Sequence, residues 1–519
     1  MLKKDTISYF YPNYSRNPMI KKTTLSLLGI LIASSVIAQN SFIKDSLDIY
    51  INREMKRWNL PGMAIAMVKD GKVLMMKGYG YADIKTKTPV TEQTVFQIAS
   101  NSKAFTGTSL ALLEHYGRFS LNEKVKTLLP YFKMHEAWKT NEITIADMLS
   151  HRIGYETFQT DLVNWATTRT RKQLIENMIN VIPKFSLRET YGYCNMGYLV
   201  AGEIIPAATD TSWDDYIKYH YLLPLEMKQT NTTYEDFMDP VKTPFASKAY
   251  SLINDQVGEI VPANVNSLAP AAGISSSVSD LSHWVMMQLG NGMYKGKQVI
   301  PKEVISRTRE SFFIDNPVSR KGNNFNTYGL GWFLKDAYGK KIVTHDGGAN
   351  GFLSKTVLIP EENVGFVILT NSDAQYFYEA LGKQLIDDLL GRPYVNYSTQ
   401  YYGYFEEEHK AELQKIKELR TLAGRHKPEK DTYTKLSGVY ENKVYGKITV
   451  TGKDKFAEVS FEFHPQYKGT IRFISDVDAL IEYNDPTLGV HQISIKDESI
   501  EIKVSDFIDM DVYLFTKIR

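Results

Sequence analysis

The sequence carries a single cysteine, Cys194, among 519 residues. No intrachain disulfide and no multi-cysteine metal site can therefore form, and the fold must be held by packing. Charge of one sign is lacking too, since 61 basic residues stand against 59 acidic ones for a net charge of +2. Such a chain projects no long-range field toward polyanions, and no basic stripe interleaved with aromatics occurs, so nucleic acid is not an expected partner. The ten histidines include no His-Glu-x-x-His or comparable spacing, and neither a metal nor another cofactor is expected. Internal repeats and low-complexity tracts are missing as well. What is present is an ordinary globular composition, 43% hydrophobic and 12% aromatic. At a prior of about 150 residues per domain, two or three cores are expected, with two as the working number.

A long membrane-spanning run is lacking. The apolar stretch Leu25 to Ile37 follows Lys21-Lys22 and ends in Val36-Ile37-Ala38. It is shorter than the ~20 residues a bilayer span needs, and its basic, apolar, small-residue order reads as a signal peptide over residues 1–38. The expectation is an exported protein, periplasmic or secreted, with no membrane anchor after cleavage near Ala38. The polar, aromatic stretch before Met19 does not suit a signal peptide's start, so Met19 is the expected initiator. No cysteine lies near the cleavage point, which excludes a lipoprotein.

Ile43, Leu47, Ile51, Met55 and Trp58 then recur at helical spacing behind Ser41, an expected N-cap, and Pro61-Gly62 ends the run. Met63 to Val68 and Val73 to Tyr79 flank Lys69-Asp70-Gly71-Lys72, the chemistry of a tight hairpin. From about residue 96 to 300 the pattern is mainly helical, and Thr327 to Asn371 returns to strands, with Val364 to Thr370 paired through Pro360-Glu361-Glu362-Asn363. Strands at both ends with helices inserted predict a sheet beside a helical lobe and a site between them. A charged helix over Glu406 to Arg420 carries Leu413, Ile416 and Leu419 on one stripe, and is expected to connect to a C-terminal module. There seven short β-rich runs, from Gly446 to Phe515, predict a small barrel. The divisions are residues 41–395 for the first domain, 396–432 for the helical linker and 433–519 for the barrel.

Three segments carry chemistry. Ser100-Asn101-Ser102-Lys103 opens an apolar helical run, and one helical turn separates Ser100 from Lys103, so both share a face. A hydroxyl becomes a nucleophile when a neighbouring base takes its proton, and a partly desolvated lysine can do so. Tyr193-Cys194-Asn195 leads into the apolar helix Leu199 to Ile205; its phenol can relay a proton to a leaving group, with Tyr191 as a rival two positions away. His345-Asp346-Gly347-Gly348 follows a strand, and glycines there let a substrate backbone approach and can offer N–H groups to an oxyanion. Each alone has a blander reading: a capping serine, a core aromatic, a turn.

Together and in this order they resemble the serine β-lactamase and penicillin-binding protein family, in its class C β-lactamase-like branch, over roughly Ile43 to Leu390. Leu149-Ser150-His151-Arg152-Ile153-Gly154, Gly273 to Ser277 and Gly329-Leu330-Gly331-Trp332 are similar to further landmarks, read as structural, with Thr144 and Asp147 expected as a capping box. The resemblance implies an α+β fold, an antiparallel sheet flanked by helices with an all-helical lobe, beside the all-β barrel. It makes Ser100 the nucleophile, Lys103 its base and Tyr193 the proton relay, with Asn195, His345, Asp346 and Gly347 binding substrate. The backbone N–H groups of Ser100 and Gly348 would form the oxyanion hole. His345 stands where classical members carry a lysine that anchors a substrate carboxylate, and a histidine is mostly neutral at pH 7. That disfavours a β-lactam, which ranks third; a peptide, D-residue or cell-wall peptides included, is the preferred substrate and a carboxylic ester the second, while a penicillin or wall-fragment binder without turnover is the reading of a different class. Cys194 is expected to be a small buried residue. The barrel is similar to lipocalin-like domains, and Phe461, Phe463, His464 and Tyr467 are expected to fill its core.

Overall fold

The computed structural model describes residues 42–316, 325–503, 509 and 511–518. The signal peptide, the two candidate start codons and the Ser41 cap lie outside them. A π-helical turn, Phe42–Ser46, runs into α1 (Leu47–Arg57), whose apolar stripe of Leu47, Tyr50, Ile51 and Met55 is buried. β1 (Gly62–Lys69) and β2 (Lys72–Asp83) follow, joined as expected through Asp70 and Gly71, with φ of 51° and 71°. Two successive positive φ values make the turn whose twist matches that of the strands. β1 is apolar and buried on both faces up to Val68, which marks it as an interior strand.

The short β3 (Thr88–Pro89) forms one edge of the sheet. The chain then builds the helical lobe around α2 (Ser102–His115), the short α3 (Asp161–Asn164), α4 (Asn195–Thr209) and α5 (Val278–Leu289). It returns to the sheet with β4 (Phe313–Asn316), β5 (Asn326–Tyr328), β6 (Phe333–Ala337), β7 (Lys340–Ala349), β8 (Phe352–Ile359) and β9 (Val364–Thr370). The nine strands are antiparallel throughout, in the order β4-β5-β6-β7-β8-β9-β1-β2-β3. Side-chain alternation splits the sheet between two cores. Ala64, Ala66, Leu358, Val367 and Leu369 face α5 and the helical lobe, while Met63, Ile65, Val357 and Phe366 face α1 and α6 (Phe377–Leu389).

The connecting helix is longer than the charged stripe implied: α7 spans Tyr397–Arg425. Its first turn docks on α1, where Trp58 Nε1 donates to Ser398 Oγ at 2.8 Å, and Leu419 near its end packs on Leu480 and Val490 of the barrel. The barrel is closed and has eight strands, β10 to β17: Gly438–Asn442, Gly446–Gly452, Ala457–Phe461, His464–Phe473, Asp478–Tyr483, Val490–Lys496, Ser499–Lys503 and Val512–Lys517. Among the described residues no helix is long and apolar enough to cross a membrane.

Candidate active site

Ser100 does not stand on α2 itself but in the 3₁₀ turn Ala99–Asn101 that leads into it. Ala99 takes a φ of 45°, a left-handed conformation costing an L-residue roughly 1–2 kcal/mol, and the kink sets Ser100 apart from the helix axis. Lys103 is the second residue of α2, and its Nζ lies 3.0 Å from Ser100 Oγ. The lysine is completely buried. Its amine has two other polar partners, Asn195 Oδ1 at 2.5 Å and the Ala271 carbonyl at 3.0 Å. A neutral amine has two hydrogens and one lone pair, which matches two acceptors and one hydroxyl. Burial pulls the ammonium well below the ordinary lysine range, with Asp161 opposing that shift.

The second segment arrives at the start of α4. The Tyr193 phenol faces Ser100, and the Lys103 amine lies 4.8 Å from the centre of its ring. Burial pushes the phenol well above its usual value, so it stays protonated. Tyr191, the rival, is partly buried and packs against His151, with ring centres 5.6 Å apart, and its buried hydroxyl has no partner. The Tyr193 loop is held from below: His151 Nδ1 accepts from the Cys194 N–H at 3.0 Å and its ring lies 4.4 Å from that of Tyr193. His151 is fully buried, and the loss of hydration drives its pKa far down. Gly192 is required here, since a Cβ at that point would meet the Tyr155 carbonyl oxygen at 1.7 Å. Cys194 is buried, as expected, with its thiol pushed up to about 12 by burial.

The third segment lies inside β7 rather than after a strand. Pairing with β6 ends at Phe333 and Thr344, so residues 345–349 pair only with β8 and leave the other edge of the strand free. Gly347 packs on the residue before the nucleophile turn, and a Cβ there would meet Ile98 O at 2.1 Å. Beside Gly348 the space is nearly open, with Leu353 alone at 3.4 Å.

His345 lies under the cleft with both ring nitrogens engaged. Tyr328 Oη is 2.9 Å from Nε2, and Nδ1 is 2.6 Å from the Asp346 carbonyl. The carbonyl can only accept, which assigns the proton to Nδ1 and leaves Nε2 to accept from Tyr328. Burial, with Lys103 nearby, pulls the imidazole down to about 3, so it is neutral. Asp346 is not brought to Ser100. Alternation along β7 sends it to the opposite face, where it pairs with Lys355 at 2.5 Å, itself bound to Glu379 of α6. The expectation that Asp346 binds substrate is corrected accordingly.

Sequence reasoning missed Asp161, on α3. Asn195 Nδ2 donates to Asp161 Oδ2 at 2.6 Å, so one amide joins the buried lysine to a buried carboxyl. Burial pushes that carboxyl up, against the pull of Lys103. No spacing signal marks it, because its role arises from tertiary contact. Among the described residues no group of His, Cys, Asp and Glu is arranged to hold a metal ion.

Comparison with known proteins bears on the family and the fold. A family model described as "Beta-lactamase" matches residues 47–390. "Protein flp" of Staphylococcus aureus (strain MW2) is 30% identical over 378 residues, covering 70% of this chain and 70% of that protein. "Unguisins hydrolase ungD'" of Aspergillus campestris (strain IBT 28561) is 28% identical over 355 residues, covering 66% of this chain and 64% of its own. The octameric penicillin-binding protein homologue from Pyrococcus abyssi shares the fold at a TM-score of 0.59 and 20% identity, over 91% of this chain and 99% of that one. The match runs through both lobes and ends ahead of the barrel, and the chain belongs to the β-lactamase family.

Proposed function

We propose that the protein is an exported serine hydrolase that cleaves an amide or ester bond through an acyl-Ser100 intermediate, with peptides as its preferred substrates. The observation that carries this reading is the buried Lys103 amine, whose three polar contacts fit a neutral base with its lone pair directed at Ser100 Oγ. In the reaction Lys103 takes the Ser100 proton as Oγ attacks the carbonyl carbon. The backbone N–H groups of Ser100 and Gly348 receive the oxyanion. Tyr193, kept protonated by burial, donates to the departing nitrogen or oxygen, and the C–N or C–O bond breaks. Water then attacks the acyl-enzyme and gives its proton to the Tyr193 phenolate, and the Lys103 ammonium returns the proton it holds to Ser100 Oγ as the acyl C–O bond breaks.

The preference for peptides or esters over β-lactams rests on His345. A neutral imidazole with both nitrogens occupied offers no fixed cation to a substrate carboxylate. The relative named as an unguisins hydrolase supports the hydrolase class. Export rests on the pattern of residues 21–38, and N-terminal sequencing of the secreted chain, expected to begin at Gln39, tests it. The enzymatic reading is tested with a nitrophenyl ester, a D-alanyl peptide and a chromogenic cephalosporin. Turnover should rank with the cephalosporin last, and Ser100→Ala should lower it by on the order of 10³-fold or more. A Ser100→Ala protein as active as wild type on all three removes the mechanism; a lasting adduct on Ser100 without turnover marks a binder instead.

A further inference from the structure

The barrel is not a separate body tethered to the hydrolase domain. Leu162 and Val163 of α3 are buried within the barrel's own apolar core, among Ile448, Phe461, Ile471 and Phe515. The segment around them is stitched to the barrel rim. Thr168 N–H donates to Phe463 O at 2.9 Å, Gln466 Nε2 to Ala166 O at 2.6 Å and Arg169 Nη1 to Val444 O at 2.8 Å. From the barrel side Asp509, fully buried, faces the Leu162 backbone N–H and accepts from Tyr513 Oη at 2.6 Å.

The same short segment holds the Tyr193 loop. Phe158 N–H donates to Tyr193 O at 2.8 Å, Thr157 Oγ1 accepts from Tyr193 N–H at 3.2 Å, and Asp161 takes the Asn195 amide. That last bond fixes which way round the amide stands. With Nδ2 committed to Asp161, Oδ1 must face Lys103; turned over, the amide would offer an N–H to the amine's lone pair and withdraw it from Ser100. Asp161 Oδ1 is buried without a partner of its own, so the carboxyl is held by its surroundings rather than by a saturated network.

We propose that Asp161 is the positioning residue for the Lys103 base, acting through Asn195, and that the C-terminal barrel, by seating α3 in its mouth and setting Asp509 against it, is a working part of the hydrolase site. The proposal rests on the reading of Lys103 as the base. The groups facing this cluster are Lys103, Cys194, His151, His345, Tyr193, Tyr198 and Lys184 from the two lobes, and Asp509 with Asp511, Tyr513 and Tyr445 from the barrel. A negative Asp161 favours the ammonium of Lys103, and a negative Asp509 disfavours a negative Asp161. Removing each charge should therefore move Lys103 in opposite directions.

The test follows the Lys103 side chain itself, by NMR of full-length protein labelled at lysine Cε, so that it needs no turnover. In Asp161→Asn the midpoint of the Lys103 titration should fall by about 1 pH unit, and in Asp509→Asn it should rise by roughly half as much. An Asp509→Asn titration superposable on wild type overturns the barrel's part, and an unmoved Asp161→Asn titration overturns the whole. In ester hydrolysis Asp161→Ala should lower kcat at least ~10-fold with KM little changed, with Asp161→Asn partly restoring it. Equal losses in kcat for the two variants would leave no positioning role. Failure to acylate Ser100 in wild type would sink the hydrolase reading and this proposal with it, whereas unmoved titrations in a wild type that does acylate would sink this proposal alone.

Discussion

At the scale of single residues the site turns on which groups are allowed to be charged. Lys103 is depressed by burial, Tyr193 is raised by it, and His345 is held neutral, so the cleft contains a base, an acid and no fixed cation. Lys103→Arg should then be as damaging as Lys103→Ala. A guanidinium cannot shed its proton, and both variants should lose about 10²–10⁴-fold in the rate of Ser100 acylation, measured by mass spectrometry with an acylating probe. The sign of the pH dependence follows from the same depression. The active form is the unprotonated amine, so kcat/KM should climb with pH along a limb whose midpoint lies well below the ~10.4 of a free lysine. A limb at 10 or above would remove Lys103 as base. Ser100, Lys103, Tyr193 and Asn195 were legible in the sequence because a helical turn and a loop entering a helix fix them locally. Asp346 was misread although strand alternation alone separates it from His345 and Gly347. Asp161 was invisible, since nothing near it in sequence says that a carboxyl will meet the Asn195 amide.

Elements show the same division between local and distant causes. The Asp70-Gly71 hairpin and the capping box at Thr144 and Asp147 form where the sequence placed them, because each is satisfied within four residues. The barrel was read with seven strands and has eight. The missing one, Gly438–Asn442, buries Tyr440 alone and carries no alternation to recognise; ring closure supplies its partners. Asp147 does more than the capping box required. Its side chain is fully buried, accepting from Arg152 at 2.6 Å and from Arg188 at 2.9 and 2.6 Å, which ties the helix Ile145–Leu149 to the loop before Tyr193. Burial pushes this carboxyl up, but Arg188, the Thr144 backbone and Arg152 outweigh it and hold it below its ordinary value. A carboxyl so depressed stabilises the fold above the ordinary aspartate value and loses that contribution as pH falls through the lower native one. Asp147→Ala should thus destabilise the protein by about 3–5 kcal/mol at pH 7 in chemical denaturation. The deficit relative to wild type should shrink below about pH 4, whereas a gap that stays constant to pH 2 would show that lost packing, not charge, is responsible.

For the whole molecule the question is whether two domains behave as one. α7 links them like a strut, anchored by Trp58 and Ser398 at one end and by Leu419 and the Arg420–Glu482 ion pair at the other. A strut alone would leave the cleft indifferent to the barrel. The insertion of Leu162 and Val163 into the barrel core removes that indifference, because a void in the barrel mouth loosens the helix that carries Asp161. Two substitutions separate the effects. Leu480→Ala trims the barrel where it packs on Leu419 of α7, in a cluster separate from that of Leu162 and Val163, and should cost about 2–5 kcal/mol with no change in the rate of Ser100 acylation. Leu162→Ala should cost about 2–5 kcal/mol and, under conditions where the variant remains folded, also slow acylation several-fold. Leu162 touches no reacting group, so a slowed reaction at full occupancy of the native state has to pass through the backbone of α3. If both variants acylate at the wild-type rate, the barrel stabilises the enzyme without shaping its site, and the contact between the domains is adhesion alone.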